Sequence, residues 1–210
     1  MDLRRKRDGD DRHRTERKLM EFREEIGAAA LDVKVAELLI ATADESDYLI
    51  DGAVSEVLRL LRERMNMDVV FVSEFTGSER VFRCVDQAPG DQLIATGASE
   101  ALEESYCQRV VDGRMPELVA DVPAAQARGE VPAHAIPIGT YLSTPIVLDG
   151  GQVYGTLCCF SFGVNPGITR QDVRTLRYTA QLTAQKIEKA RRRKAELELV
   201  PIADNPFRKL

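Results

Sequence analysis

The chain has 210 residues, of which 44 % are hydrophobic and 30 % are charged, a balance typical of a folded domain with extensions and not of a disordered protein. The net charge of −5 gives no general attraction to nucleic acid or acidic lipid. No apolar run approaches the roughly 18 residues that span a bilayer. The basic N-terminus is not followed by the apolar segment of a secretory signal, so we expect a cytoplasmic protein without nucleic-acid or membrane partners.

The cysteines and histidines do not form a recognisable reactive or metal-binding motif. Cys84, Cys107, Cys158 and Cys159 lack the spacing of a zinc site or a disulfide framework. The chain has only two histidines, and it contains no phosphate-binding loop, dinucleotide fingerprint or zinc-protease motif. We therefore expect neither a metal site nor an enzyme.

The first predicted elements are a charged tail and a helix. Residues 1–18 are so rich in charge that we expect them to be disordered. Over 19–43, apolar residues recur at alternating steps of three and four, which predicts a helix with a heptad seam. We interpret it as a dimer-forming helix; the alternative is an amphipathic helix lying on its own domain. The seam residues are Leu19, Phe22, Ile26, Ala29, Val33, Ala36 and Ile40.

Two hairpins are predicted after a second, core-facing helix over 50–65. Residues 68–75 and 80–86 form the first, and residues 140–148 and 152–162 form the second, around Asp149-Gly150. Pro145 predicts a sheet edge or a bulge. Between the hairpins lie about fifty irregular residues with one short helix at 105–112, stopped by Gly113. An irregular segment of this length is usually functional.

The last predicted helix begins at a capping box formed by Thr169 and Asp172. Its apolar residues again alternate by three and four, and a charged tail over 191–210 follows. We predict a homodimer through the helices at 19–40 and 170–190. Because strands pair locally and helices stand at both ends, the fold class is α+β with an antiparallel sheet. The apolar positions of this last helix are Val173, Leu176, Ala180, Thr183, Ile187 and Ala190.

Four stretches resemble GAF domains, in particular the bacterial sensory group often found beside cyclic-di-GMP enzymes. They are 105–114, 116–118, 139–146 with its Tyr-Leu-Ser-Thr-Pro-Ile run, and 153–158 with its Val-Tyr-Gly-Thr-Leu run, and the resemblance spans 44–190. It implies a central antiparallel sheet of five or six strands with terminal helices packed on one face. A loop-rich lid over a small-molecule pocket would cover the other face.

The residues expected to line that pocket come from the irregular segment and the third strand. Members of the family bind cyclic nucleotides, tetrapyrroles, haem or small metabolites, so the resemblance leaves the cofactor and the ligand open. Asp121 could instead make a turn, and Tyr141 could be a core residue. The candidates are Tyr106, Cys107, Val110, Leu118, Asp121, Tyr141 and Ser143.

Cys107 is the candidate with possible chemistry of its own. If Ser105 caps the short helix, the first-turn amides lower the pKa of this thiol, whereas Glu103 and Glu104 raise it. We interpret Cys107 as a buried, unreactive thiol, the usual state of a free cysteine. The reductases of the GAF fold place several cysteines around the pocket, and the lid segment 113–139 offers no second cysteine, which argues against a reductase. Cys158 and its neighbour Cys159 must point to opposite faces of their strand.

These predictions combine into one hypothesis for function. The chain is interpreted as a non-catalytic sensory module that binds a small ligand or senses redox state under the lid. The signal would leave through dimeric terminal helices, to a second copy or a separate output protein. The alternatives are a dimerisation scaffold with a vestigial pocket and a thiol-based reductase that uses Cys107.

Overall fold

The computed structural model describes residues 30–32, 34–35, 47–90 and 93–199. The helices are α1 (Asp47–Met65), α2 (Tyr106–Val111), α3 (Val122–Ala127) and α4 (Arg170–Leu199). The strands are β1 (Val69–Thr76), β2 (Glu79–Gln87), β3 (Ser99–Ala101), β4 (Leu118–Val119), β5 (Thr140–Val147) and β6 (Val153–Ser161). Residues 30–32 and 34–35 are also helical.

The six strands form one sheet in the order β3-β2-β1-β6-β5-β4, and every neighbouring pair is antiparallel. Both predicted hairpins are present, and they meet where β1 pairs with β6, so that Phe71 stands opposite Cys158. The predicted α+β class and strand number are therefore confirmed.

Local turn chemistry explains where the hairpins reverse. Gly77 and Gly150 have φ values of 61° and 81°, a region that side-chain-bearing residues rarely occupy. Pro145 lies in β5 beyond the two residues of that strand that pair with β4, and the register shifts just after it, between Ile146 and Val147. Proline is tolerated there because no ladder hydrogen bond is needed from its nitrogen.

The two faces of the sheet are covered by different elements. Alternate residues of β1 lie on opposite faces of the sheet. Val70 and Val72 pack beneath α1 and α4, whereas Val69 and Phe71 pack beneath α2 and α3. Such alternation follows from the two-residue period of a strand. The predicted layers, with terminal helices on one face and a lid on the other, are confirmed.

The segment between the hairpins is more regular than the sequence indicated. Besides the predicted short helix α2, it contains β3, β4 and α3. Ser105 caps α2, since its hydroxyl accepts a hydrogen bond from the Gln108 amide at 3.1 Å, and Gly113 follows with a φ of 72°. These elements are short, so their sequence patterns were too brief to show a period.

Helix α4 begins at the predicted capping box, where the Thr169 amide and hydroxyl both donate to Asp172 at 2.8 Å. It continues to Leu199, so the residues from 191 that were assigned to a charged tail are helical through 199. The predicted seam of this helix packs on its own sheet: Leu176 and Ala180 belong to the helix-side core, with Val173 and Ile187 against it.

The helical residues near the N-terminus also pack on their own chain. Leu31 and Val35 are buried in the helix-side core. All seven predicted seam positions over 19–40 lie outside the described residues, as do the tail at 1–18 and residues 200–210. The homodimer thus stays a prediction, and the apolar face of α4 is already used within the monomer. No helix in the described ranges is both long and apolar enough to cross a bilayer.

Candidate functional site

A cluster of polar and sulfur-bearing side chains lies between the sheet and the lid helices. Cys107 comes from α2, and the others come from β2, β5 and β6, at positions that face the lid because strand side chains alternate. All are buried. We call this set the thiol cluster: Arg80, Cys107, Tyr141, Ser143, Thr156 and Cys158.

Cys107 stands at the centre of the thiol cluster. Its Sγ accepts a hydrogen bond from Arg80 Nη1 at 3.0 Å. It lies 3.2 Å from Cys158 Sγ and 3.3 Å from the Tyr141 hydroxyl. One sulfur atom therefore faces a guanidinium, a second thiol and a phenol, all of which can donate hydrogen bonds to it.

Cys158 is held by hydroxyl groups from β5 and β6. Its Sγ lies 2.9 Å from Ser143 Oγ and 3.1 Å from Thr156 Oγ1. Thr156 in turn lies 2.9 Å from Ser73 Oγ of β1. These contacts fix the Cys158 side chain toward Cys107, whereas Cys159 packs in the core on the helix side.

Arg80 carries a positive charge into this apolar side of the sheet. Only 5 % of the residue is exposed, and its guanidinium lies 4.7 Å from the Phe82 ring centre and 5.5 Å from that of Phe71. It also forms an ion pair with Glu100 of β3. Its Nε is buried without a hydrogen-bond partner. A buried guanidinium in this position favours a negative charge on the adjacent sulfur.

The pKa values of the two thiols move in opposite directions. Burial works against ionisation of Cys107, but the hydrogen bond with Cys158 and the charge of Arg80 outweigh it and hold the pKa of Cys107 well below its ordinary value. Burial, together with the neighbouring Cys107, raises the pKa of Cys158 well above its ordinary value. The two shifts favour the thiolate at Cys107 and the protonated thiol at Cys158, the arrangement needed for nucleophilic sulfur chemistry.

Five of the seven predicted pocket residues meet on the lid side. Tyr106, Cys107, Val110 and Tyr141 share the lid-side core, and Ser143 contacts Cys158. The Tyr106 hydroxyl donates to the Pro132 carbonyl at 2.6 Å, which ties α2 to the loop beyond α3. Their side chains contact one another, so they form a packed layer.

The other two candidates do not belong to this layer. Leu118 is half-buried against the core on the helix side, because its position in β4 faces away from the lid. Asp121 is exposed and caps α3, where its carboxylate accepts a hydrogen bond from the Ala124 amide at 2.9 Å. The alternative interpretation of Asp121 as a turn residue was closer to what the structure shows.

Sequence reasoning overlooked Arg80, Thr156 and Cys158. The available signal was the alternation of β6, which places Cys158 on the same face as Phe160. The cysteine that Cys107 contacts comes from the sheet and not from the lid segment. Cys107 is buried as predicted, and its reactivity stays open, because Arg80, distant in sequence, contacts its sulfur and lowers its pKa.

Two cavities lie on the helix side of the molecule. The smaller, of about 250 Å³, is between the end of α1 and the start of α4. The larger, of about 540 Å³, lies between α1 and the second half of α4, over β1, β2 and β6; we call it the helix-side groove. Within the ranges given above, no group of three or more His, Cys, Asp or Glu side chains is placed to hold a metal ion.

The fold and the sequence can now be compared with known proteins. A family model described as "GAF domain" matches residues 49–188. Comparison with curated protein sequences finds no match. The association with cyclic-di-GMP enzymes is not shown by these comparisons and stays a prediction.

Solved structures of GAF proteins superpose on the chain at low sequence identity. A GAF sensor protein from Burkholderia vietnamiensis has a TM-score of 0.60 at 18 % identity, over 78 % of this chain and 98 % of that one. Free methionine-R-sulfoxide reductase from Neisseria meningitidis, in complex with its substrate, has a TM-score of 0.61 at 17 % identity, over 80 % and 93 %. The chromophore-binding domain of a bacteriophytochrome from R. palustris has a TM-score of 0.59 at 13 % identity, over 77 % and 61 %.

The expectation that this chain is not an enzyme is wrong, because a protein of the same fold catalyses a reaction. It rested on the absence of known catalytic motifs, yet the Neisseria reductase has the same fold and is an enzyme. Identity this low establishes the fold alone. The presence or absence of catalysis therefore depends on the side chains of this chain and not on its fold.

Proposed function

We propose, from the premise that this chain belongs to the GAF domain family, that it is a sensory domain whose input is oxidation of Cys107 and Cys158. GAF domains are typically sensory or ligand-binding modules, and the thiol cluster occupies the lid side of the sheet where a signal would be received. The proposal includes a reducing compartment such as the cytoplasm, because such a compartment keeps a thiol pair reduced until oxidant appears.

One observation carries the proposal: Cys107 Sγ lies 3.2 Å from Cys158 Sγ and 3.0 Å from the Arg80 guanidinium. A disulfide needs the two sulfur atoms at about 2.05 Å, so closure requires a shift of little more than 1 Å. Arg80 supplies the charge that makes one of the pair a thiolate.

The chemistry is a two-electron oxidation of the pair by a peroxide. The Cys107 thiolate attacks a peroxide oxygen, the O–O bond breaks, and Cys107 becomes a sulfenic acid while the leaving oxygen departs as water or an alcohol. The Cys158 sulfur then attacks the Cys107 sulfur, its proton leaves with the hydroxide, and water is released as the S–S bond forms. The two thiols are oxidised and the peroxide is reduced.

The same residues connect this reaction to both faces of the sheet. Disulfide formation removes the negative charge that Arg80 contacts, so the guanidinium keeps only its ion pair with Glu100 of β3. It also ties α2 to β6, the strand whose next residue, Cys159, packs in the helix-side core. We propose that the change passes through β6 to α4, and from there to a second copy or a separate output protein.

The test is oxidation of the full chain with hydrogen peroxide, followed by alkylation and mass mapping of the cysteines. We expect a single intramolecular disulfide between Cys107 and Cys158, which Cys107→Ser and Cys158→Ser both abolish. Cys159→Ser is the matched control, since Cys159 neighbours Cys158 but faces the other side. Failure of the pair to oxidise while the half-buried Cys84 does would contradict the proposal and favour the dimerisation scaffold.

A second candidate is a thiol reductase that uses the same pair, favoured by the likeness to the Neisseria methionine sulfoxide reductase. Here the sulfoxide is the oxidant: the Cys107 thiolate attacks its sulfur, the S–O bond breaks with uptake of a proton from solvent, and methionine leaves as the thioether while Cys107 becomes a sulfenic acid. The Cys158 thiol then attacks the Cys107 sulfur, water is released, and the disulfide that forms is reduced by dithiothreitol. Incubation with free methionine-R-sulfoxide and dithiothreitol separates the two. Turnover that depends on Cys107 and Cys158 supports the reductase, and its absence beside a peroxide-formed disulfide supports the sensor.

A further inference from the structure

We infer that the helix-side groove is a binding site for a long-chain carboxylate, distinct from the thiol cluster and on the opposite face of the sheet. The groove has a volume of about 540 Å³, within the range of about 300–1,000 Å³ common for small-molecule sites. It is bounded by two terminal helices, so a ligand in it would touch both.

The floor of the groove is apolar. Valine and isoleucine side chains from four elements line it, and Ala190 of α4 leaves the space that a larger residue would fill. Exposed apolar surface inside a concavity favours a ligand with an apolar body. The residues used in this argument are Val54, Val72, Val85, Ile187 and Ala190.

The charged lining of the groove is predominantly positive. Arg83, Lys186, Arg191 and Lys194 line it, against one carboxylate, Glu74. That carboxylate is already engaged, because Arg83 and Arg191 both form ion pairs with it. Arg83 and Arg191 outnumber this carboxylate, and Lys194 adds positive charge at the α4 edge of the groove, which favours an anionic ligand over a cationic or neutral one.

Arg191 marks where the polar end of a ligand would lie. It stands over the Tyr154 ring at 5.2 Å. Burial and the hydrogen bond with Glu74 raise the pKa of Tyr154 to about 12, so its hydroxyl is already engaged. A carboxylate at the α4 edge would meet Lys194 and Arg191, with its chain along the valine floor.

A second copy of the chain fits this groove poorly. In a twofold dimer the same surface faces itself, which would bring the two sets of Arg and Lys side chains together. Repulsion between like charges disfavours that contact, whereas an anionic ligand neutralises the same charges. The lining of the groove therefore fits an amphipathic anion better than a second copy of the chain.

The binding test uses dodecanoate on the full chain, below its critical micelle concentration, by isothermal titration calorimetry. We expect one site per chain and weaker or no binding of dodecylammonium, which has the same alkyl length and the opposite charge. Equal binding of the two probes would overturn the proposal, because the cationic lining would then have no effect.

Two pairs of variants locate the site. Ala190→Trp should fill the groove and weaken dodecanoate binding by about tenfold or more, whereas Ala195→Trp, on the exposed part of the same helix, should not. Lys194→Glu should weaken binding by about two- to fivefold, and Lys189→Glu, outside the groove, should leave it unchanged. Binding that is unaffected by Ala190→Trp would overturn the assignment of the site.

Cys84 provides an independent reporter that does not depend on stability. It lines the groove and is half-buried, whereas Cys107, Cys158 and Cys159 are buried. We expect dodecanoate, but not dodecylammonium, to slow alkylation of Cys84 by N-ethylmaleimide. An alkylation rate unchanged at saturating dodecanoate would contradict occupation of the groove.

Discussion

At the scale of single residues, Arg80 decides the chemistry of the lid side. Its guanidinium is buried among Phe71 and Phe82, contacts Cys107 and pairs with Glu100. Buried charges persist when they are paired and hydrogen-bonded. The burial of Arg80 is thus balanced by its ion pair with Glu100, and the same guanidinium favours the thiolate form of Cys107.

Replacing the guanidinium tests this pairing directly. In Arg80→Met the apolar surroundings and the hydrogen bonds with Cys158, Thr156 and Tyr141 are kept but the charge is lost, so burial is opposed less strongly and the pKa of Cys107 should rise. We expect the ultraviolet absorbance of the thiolate at neutral pH to decrease and peroxide oxidation to slow. Arg83→Met, which removes an arginine from the same strand on the helix side, should preserve both signals; loss of the absorbance there too would contradict the role given to Arg80.

The thiolate also predicts a pH dependence of stability. The pKa of Cys107 is lower in the folded than in the unfolded chain, where it is about 8.5. Its contribution to stability is therefore fully present above the unfolded pKa and is lost as pH falls through the folded pKa. The free energy of unfolding of the native chain minus that of Cys107→Ser should decrease as pH falls across this window, by about 1.4 kcal/mol per pKa unit.

Denaturant unfolding at a series of pH values measures this difference. Cys159→Ser is a suitable control, because burial raises the pKa of Cys159 and the thiol stays protonated in the folded state over the same window. A native-minus-variant difference for Cys107→Ser that stays flat with pH would show that Cys107 is a neutral thiol in the folded chain.

At the scale of elements, the close approach of β1 and β6 depends on a glycine. A Cβ added to Gly155 would lie 1.9 Å from the Ser73 carbonyl oxygen, a backbone atom that cannot easily move. This contact sits in the central strand pair, where Gly155 stands opposite Glu74. The packing of the sheet, and with it the placement of Thr156 and Cys158, therefore requires a residue without a side chain here.

Two alanine substitutions separate this steric requirement from the general effect of losing a glycine. Gly155→Ala should destabilise the chain by about 1–3 kcal/mol or more through the clash. Gly52→Ala, in α1 with no atom within 4 Å of the added Cβ, should stabilise it by about 1 kcal/mol through helix propensity. Thermal unfolding of both variants measures the contrast, and a Gly155→Ala protein as stable as the native one would contradict the close approach.

At the scale of the whole molecule, the sheet separates two surfaces with different chemistry. The lid side holds the thiol cluster, and the helix side holds the groove and the terminal helices. Strands β1 and β6 belong to both, because their alternate residues face each side. A signal received on either face therefore has a short structural route to the other, although coupling requires that the two states differ in affinity or packing.

The predicted homodimer also belongs to this scale. Because the apolar face of α4 packs on its own sheet, we propose that the N-terminal seam at 19–40 supplies the dimer contact. Light scattering should give twice the mass of one chain, and Phe22→Asp should reduce it to a single mass. Arg23→Asp, one residue off the seam, should remain dimeric. A native protein that is monomeric at all concentrations would contradict a dimer contact at the N-terminal seam.

The sequence by itself determined those helices and strands that have a strong hydrophobic period or a strong turn signal. The hairpins, with Gly77 and Asp149-Gly150 at their turns, and the capping box of α4 are local, since each depends on residues within a few positions of one another. The resemblance to GAF domains added the order of the layers. Short elements such as β4 and α3 escaped detection because two or six residues cannot display a period.

Only the tertiary structure decided which chemistry the chain carries. Arg80, Cys107 and Cys158 are 27 and 51 positions apart along the chain, and their contact depends on strand register, which no local pattern shows. Asp121 and Leu118 were misplaced for the same reason, because a capping role and the facing of a two-residue strand depend on the elements around them. Local propensity determines which residues form helices, strands and turns. Charge and thiol reactivity are instead set by burial and by the neighbours that packing brings together.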